Sequence, residues 1–327
     1  MSKVINYSDA LKEALQEEMR RDPSIFLAGE DIGLDGGVFA VTRGLIDEFG
    51  PDRVVDTPIS EDALIGLGLG AALTGLRPVV EIMFSTFLGI PMEEIFNQVA
   101  KIRYMTGGQA AVPLVIRTAN ALGRSSAAQH SGRTEAWFVH TPGLRVVAPA
   151  TPYDAKGLLK TALRGEDPVM FFEQAFLYFK YKEEIPDEDY TVPIGKARIH
   201  RQGTDITLIA YSMMVQRALE AAAKLEEEGV HAEVVDLRTL SPLDVETICE
   251  SVSKTHKVVV CSEDEHTGSV SAEVMATIVE NVFYELDAPV LRVTAPDVPV
   301  PFSPVLEQFI IPKAEDIVNA AHKILKA

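Results

Sequence analysis

Short apolar runs alternate with longer stretches of helical periodicity along the whole chain. In the first half the runs are IFLAGE (25–30), VVEIMF (79–84), PLVIRT (113–118), RVVAPA (145–150) and VMFFEQ (169–174). Strands separated by helices predict a parallel sheet covered on both faces. The alternation stops at FKYKEEIPDEDYTVPIG (179–195), which is charged, carries two prolines and keeps no period, so it reads as a linker. It resumes with ITLIAYS (206–212), then a helix through RALEAAAKLEEEG stopped by Gly229, then AEVVDLRTL, VVVCSE and VLRVTA. The predicted fold class is α/β, with two parallel-sheet domains of unequal size over residues 1–185 and 186–327. The opening MSKVINYSDALKEALQEEM reads as passing directly into an amphipathic helix.

One stretch resists this simple alternation. Residues 58–75, PISEDALIGLGLGAALTG, contain a glycine spacing like that of a dinucleotide-binding turn. Such a turn needs an apolar strand before its glycines. Here Pro58 and Ser60 supply a lead-in and cap, and Glu61 and Asp62 fall in a first helical turn, where the helix dipole favours acids. Ala63, Gly66, Gly70 and Thr74 then share one helix face, and Gly75 is a plausible stop. Glycine costs about 1 kcal/mol per helical position relative to alanine, so a packing reason is expected: close approach of another backbone. The context argues against a nicotinamide oxidoreductase. Taken alone, Glu61 is a solvated first-turn acid.

Composition narrows the possible partners. The 327 residues are 47% hydrophobic and 24% charged, enough apolar material for full cores. A formal net charge of -18 repels phosphate backbones and anionic lipid, so neither nucleic acid nor a membrane surface is an expected partner, while a basic protein would suit. Cys249 and Cys261 match no zinc or redox spacing and exclude a disulfide framework. No apolar run approaches bilayer length, and the opening residues resemble neither a signal nor a transit peptide, so a cytoplasmic protein is expected.

PISE and the small-residue helix are followed by GLRPVVEIMFSTF and then by SSAAQHSGRTEAWFVHTPGLRVVAPATPYDAKGLL, with DLRTLSPLD and DAPVLRVTAPDVPVPFSPVLEQ further on. In this order the chain resembles, nearly end to end, the beta subunits of the thiamine-diphosphate-dependent decarboxylase component of 2-oxo acid dehydrogenase complexes. Pyruvate, branched-chain 2-oxo acid and acetoin dehydrogenases belong to that group. The resemblance implies a transketolase-like pyrimidine-binding domain followed by a transketolase C-terminal-like domain. It implies that Glu61 contacts the aminopyrimidine ring of the cofactor. A carboxyl group hydrogen-bonded to the ring nitrogen favours the imino tautomer that takes up the thiazolium proton, and such an acid must share a proton at neutral pH.

The same resemblance assigns further residues. Phe87 would stack on the aminopyrimidine, although by itself it reads as a core phenylalanine. Glu30 follows a predicted strand, where α/β sheets place binding groups, and would lie in an acidic channel between paired active sites. His130, in AAQHS, would be the acid–base group for decarboxylation and acyl transfer, a task suited to imidazole. His140 matches a second family position. A monovalent cation such as K+ would be held at Leu114, Ala162, Leu163, Gly165 and Asp167, chiefly by carbonyl oxygens.

Relatives of this kind anchor the diphosphate through Mg2+, using a Gly-Asp-Gly motif and a downstream asparagine. No such motif occurs here, and the nearest string, GLDGG at 33–37, has the wrong order. The chain is therefore expected to hold only the pyrimidine half of thiamine diphosphate. An alpha subunit would hold the diphosphate and Mg2+ in an α2β2 heterotetramer. The resemblance also implies docking of the basic subunit-binding domain of a dihydrolipoyl acyltransferase core at Asp287 and the carboxylate of Ala327, with the lipoyl domain receiving the acyl group. The expected reaction is pyruvate dehydrogenase-like oxidative decarboxylation of a 2-oxo acid. Acetoin cleavage is the close rival, and a non-catalytic scaffold is the rival of another class, against which Glu61 and His130 both argue.

Overall fold

The computed structural model describes residues 2–326. The larger of its sheets has seven strands, in the spatial order Thr239–Ser241, Arg145–Val147, Val169–Gln174, Val115–Asn120, Arg77–Ile82, Ile25–Gly29, Val54–Asp56. Every neighbouring pair is parallel except the edge pair of Thr239–Ser241 with Arg145–Val147. All residues of the central strands Val115–Asn120 and Val169–Gln174 are buried, as expected of a sheet with helices on both faces. The second sheet has five strands, Leu291–Ala295, Val258–Glu265, Ile206–Ala210, Ala232–Asp236 and Arg198–Arg201, the last antiparallel. The transketolase-like α/β expectation and the strand positions hold to within a few residues.

Two expectations need correction. The opening residues do not pass directly into a helix, because Ser2–Asn6 forms a strand that pairs antiparallel with Lys182–Pro186. That pairing also clamps part of the stretch expected as a linker. Asn6 then caps the helix Tyr7–Arg21, its side chain accepting from the Asp9 amide at 2.7 Å. This helix packs on the helix Pro152–Arg164, with Lys156 and Lys160 buried between them and paired with Glu17 at 2.7 and 2.6 Å, Lys156 also with Glu13 at 3.1 Å and Lys160 also with Asp189. Among the described residues no helix is long and apolar enough to cross a membrane.

The helix Glu61–Leu73 begins as expected, and Gly75 ends it with φ +98°. Ser60 occupies the cap position, yet its side chain makes no capping hydrogen bond. The glycines divide into two kinds. Gly68 faces the sheet, and a Cβ there would stand 2.8 Å from Val80 Cγ2 and 3.0 Å from Leu114 Cδ1. Gly66 and Gly70 face outward, with open space where a Cβ would be. The small-residue face is thus exposed on this chain.

Candidate active site

Parallel strands all point their C-terminal ends at one edge of the sheet, and the loops leaving that edge can converge on a ligand. Four neighbouring strands do this here. Glu30 follows Ile25–Gly29 directly, and Glu61 lies just beyond Val54–Asp56, at the head of its helix. Phe87 sits in the turn Ser85–Gly89 that follows Arg77–Ile82, and His130 ends the loop that leaves Val115–Asn120. In spatial order these strands adjoin one another.

The Phe87 turn and the His130 loop are built as one unit. Phe87 and His130 have ring centroids 5.6 Å apart, and Phe84 lies 4.6 Å from His130 and 5.6 Å from Phe87. Thr86 Oγ1 donates to the Gln129 carbonyl at 2.5 Å, and Ser85 Oγ donates to Asn120 Oδ1 at 2.6 Å. Gly132 permits the approach, since a Cβ there would stand 2.3 Å from Thr86 Cγ2. His130 is half-buried, and its Nδ1 lies 3.1 Å from the Ser126 carbonyl. A carbonyl only accepts, so Nδ1 carries the proton and Nε2 is the nitrogen left for a substrate. Phe39 extends the aromatic wall, 5.7 Å from Phe84. Phe84 and Phe39 were not singled out from sequence. The only signal for Phe84 was its place in MFSTF, one turn before Phe87.

Across the edge, Glu61 is 7% exposed although it begins a helix. Burial, then the charges of Glu61 and Asp31, push the Glu30 carboxyl above its ordinary range. The two glutamates therefore share one electrostatic environment. Glu30 Oε1 is buried with no hydrogen-bond partner, as a group awaiting a ligand donor would be. Behind the aromatic wall Arg117 joins two acids of adjacent strands, donating to Glu81 Oε2 at 2.7 Å and to both oxygens of Glu173 at 2.7 and 2.9 Å. This buried network stiffens the floor of the site.

A carboxyl pair, a stacking aromatic and an imidazole with a free Nε2 can hold and protonate a nitrogen heterocycle. They fit the aminopyrimidine half of thiamine diphosphate. The sequence contains no Gly-Asp-Gly motif of the kind expected to carry Mg2+ and the diphosphate.

Other expected residues lie elsewhere. His140 is exposed at the end of the short helix Glu135–Val139 and lines a separate cleft with Pro242 and Val270. Leu114, Ala162, Leu163, Gly165 and Asp167 do come together, but at the N-terminal edge of the sheet, away from the glutamates. Their oxygens are already engaged. Arg77 donates to the Leu163 and Gly165 carbonyls at 3.2 and 2.6 Å, the Asp167 carboxylate accepts from Arg103 at 2.7 Å and Arg145 at 2.5 Å, and the Leu114 and Ala162 carbonyls accept backbone amides. Asp287 is exposed beside Lys257 at 3.3 Å, and Ala327 lies outside the described residues.

Known proteins are similar to this chain along nearly its whole length. The family described as transketolase, pyrimidine binding domain, matches residues 3–179, and transketolase, C-terminal domain, matches residues 195–317. The chain is 46% identical to the 2-oxoisovalerate dehydrogenase subunit beta of Bacillus subtilis (strain 168), covering 98% of both chains. It is 46% identical to the acetoin:2,6-dichlorophenolindophenol oxidoreductase subunit beta of the same organism, covering 99% of this chain and 98% of that one. To its pyruvate dehydrogenase E1 component subunit beta it is 44% identical, covering 97% of each. A solved structure described as a split-gene transketolase, inactive beta4 tetramer, superposes with a TM-score of 0.80 at 26% identity, covering 98% of this chain and 99% of the other. The chain belongs to the transketolase-like, thiamine-diphosphate-dependent family of E1 beta subunits of 2-oxo acid and acetoin dehydrogenase complexes.

Proposed function

We propose that this chain is the beta half of a pyruvate dehydrogenase-like decarboxylase that oxidatively decarboxylates a 2-oxo acid and passes the acyl group to a lipoyl-lysine. The observation that carries the proposal is the convergence of Glu30, Glu61, Phe87 and His130 beyond four adjoining parallel strands. Thiamine diphosphate, when bound, would supply a nucleophilic thiazolium carbon. Glu61, buried at the head of its helix, would hydrogen-bond the pyrimidine ring nitrogen. Phe87 stacks on the ring, while Phe84 and Phe39 back it and exclude water. His130, held by Ser126 through Nδ1, gives and takes protons at Nε2 as the acyl group forms and leaves.

The diphosphate and Mg2+ belong to an alpha subunit in an α2β2 assembly, so the chain is active only in that company. The open face of Ala63, Gly66 and Gly70 beside Glu61 suits close packing of a partner backbone. A potassium ion would draw on the Leu114, Ala162, Leu163 and Gly165 carbonyls and the Asp167 carboxylate, which here also accept hydrogen bonds from Arg77, Arg103, Arg145 and backbone amides, and no step is assigned to it. The basic subunit-binding domain of an acyltransferase core docks at Asp287, and the cytoplasm is the proposed location.

Near-equal identity to 2-oxoisovalerate, acetoin and pyruvate enzymes leaves the substrate to experiment. The chain is mixed with its candidate alpha subunit, thiamine diphosphate and Mg2+, and reduction of an artificial electron acceptor is followed with pyruvate, 3-methyl-2-oxobutanoate or acetoin. Turnover that requires both chains and favours pyruvate is expected. Glu61→Gln should lower it by at least about 100-fold, within the span of a lost acid–base group, while the tetramer still forms. Full activity in Glu61→Gln would sink the mechanism, and a well-formed tetramer inert to all three substrates would favour a scaffold.

A further inference from the structure

Glu307 lies in the helix Pro304–Ile310, far along the chain from Glu61 and His130, and is 1% exposed. Among the described residues no lysine, arginine or histidine pairs with it. Its carboxylate is instead filled by one loop of the other sheet. Oε1 accepts from the Gly123 amide at 2.9 Å, and Oε2 accepts from the Ser125 amide at 2.9 Å and from Ser125 Oγ at 3.1 Å. A buried carboxylate is tolerated only when hydrogen bonds replace its hydration, and bonds to an ionised acceptor are the strong kind. Two backbone N–H groups converging on one anion form a nest, here filled from the same chain.

The loop so held is an unusual one. Gly123, Ser125 and Ala127 have φ of +87°, +56° and +62°, and the last two are not glycine. Non-glycine residues stay in the left-handed region only where their surroundings over-determine them. The residue after Ser125 is Ser126, whose carbonyl receives the Nδ1 proton of His130. A continuous path thus runs from Glu307 through the Ser125 amide and the Ser126 carbonyl to the imidazole ring, fixing its tautomer and orientation.

We propose that Glu307 is a positioning residue for His130, which it holds through the 123–126 loop. The proposal rests on His130 acting as the acid–base group of the reaction above. It is tested with Glu307→Gln and Glu307→Ala in the full chain. Glutamine keeps the shape and one acceptor but turns an NH2 group toward an N–H group. Amide hydrogen exchange of residues 121–131 is measured on the chain by itself. Turnover, its pH profile and KM are measured on the assembly with the alpha subunit.

Exchange of the 121–131 segment should rise about tenfold or more while the strands keep their protection. The kcat should fall roughly ten- to a hundredfold, as expected when a reacting group is displaced by about an ångström. KM should change less than kcat, because a displaced acid–base group is felt chiefly in the chemical step. The shape of the pH profile of kcat should change, which a merely structural tie would not cause. Unchanged exchange in the loop would overturn the tether. An even rise in exchange over the whole chain, with kcat lost only in proportion to folded protein, would reduce Glu307 to a structural tie and overturn its positioning role. If Glu307→Ala does not fold, Glu307→Gln alone decides. A wild-type assembly that turns over no substrate would overturn the functional reading instead, and the exchange result would still decide the tether.

Discussion

Glu135 is a buried carboxyl with little to support a charge. Asn120 Nδ2 donates to one oxygen at 2.6 Å, and the other oxygen has no partner. Burial first, then the charge of Glu263, push its pKa up to about 8. In the unfolded chain the group ionises near the ordinary carboxylate value of about 4.3. Between those values the folded state keeps a proton that the unfolded state has lost. Stability from this group is therefore fully present below the unfolded value and declines as pH rises toward about 8. Glu135→Gln should flatten that decline, with a gain of at most about 3 kcal/mol at pH 8 over pH 5.5. Urea unfolding of the isolated chain at the two pH values checks it, and equal slopes in the two proteins would refute it. Nothing in TEAWF announces this acid, which reads as an ordinary first-turn glutamate. The charges that raise its pKa further, Glu263 and Asp264, sit on a strand of the other sheet, a proximity no local pattern encodes. His130 is the opposite case, since the resemblance singled it out and the structure gives its Nδ1 a carbonyl partner.

The helix Glu61–Leu73 separates two reasons for a glycine. At Gly68 the sheet is already in contact, so an added methyl must displace Val80 and Leu114. Overpacking of that kind costs about 1–3 kcal/mol against a propensity gain of about 1 kcal/mol. Gly68→Ala should be neutral to destabilising by up to about 2 kcal/mol on the same accounting. At Gly66 there is open space, so Gly66→Ala should stabilise the isolated chain by up to about 1 kcal/mol. If an alpha subunit packs on this face, the same change should weaken tetramer formation. Thermal unfolding of each variant and sedimentation with the alpha subunit measure the two effects. A Gly66→Ala chain that assembles normally would remove this face from the interface. The sequence periodicity located the helix and its small-residue face, but it could not say which glycines were already packed.

Strands were legible for a related reason. Buried parallel strands are apolar throughout, so IFLAGE and VMFFEQ announced themselves, while SKVIN, a half-exposed strand, depends on a partner 180 residues away in sequence. The expected VVEIMF strand ends early, at Ile82, because the chain leaves the sheet there to build the Phe84–Phe87 turn. Likewise RVVAPA stops at Val147, and Pro149 has no N–H with which to continue the ladder.

At the scale of the whole molecule the governing quantity is charge. A net charge of -18 makes a field that any basic partner feels over roughly a Debye length, about 10 Å at 0.1 M salt. The field attracts such a partner, but it cannot say where the partner seats. Asp287 is a sharper candidate for the seat. Its side chain is 61% exposed, it follows the exposed aromatics Phe283 and Tyr284, and its one ion pair, with Lys257, is of the surface kind worth about 0–1 kcal/mol. Asp287→Asn should therefore leave the unfolding transition within about 1 kcal/mol of the parent. If Asp287 meets a basic residue of the acyltransferase's subunit-binding domain, the same change should weaken binding about tenfold or more, equivalent to about 1.4 kcal/mol. The two effects separate a docking contact from a turn acid, because only the first moves affinity without moving stability. Salt supplies a second axis. Affinity of the parent chain should fall as ionic strength rises, and the Asp287→Asn chain should fall less steeply, having one fewer charge to screen. Calorimetric titration of the basic domain at about 0.05 and 0.5 M salt reads both. An unchanged affinity in Asp287→Asn, with the salt slope intact, would leave the acidic field as an attraction without a seat at this residue.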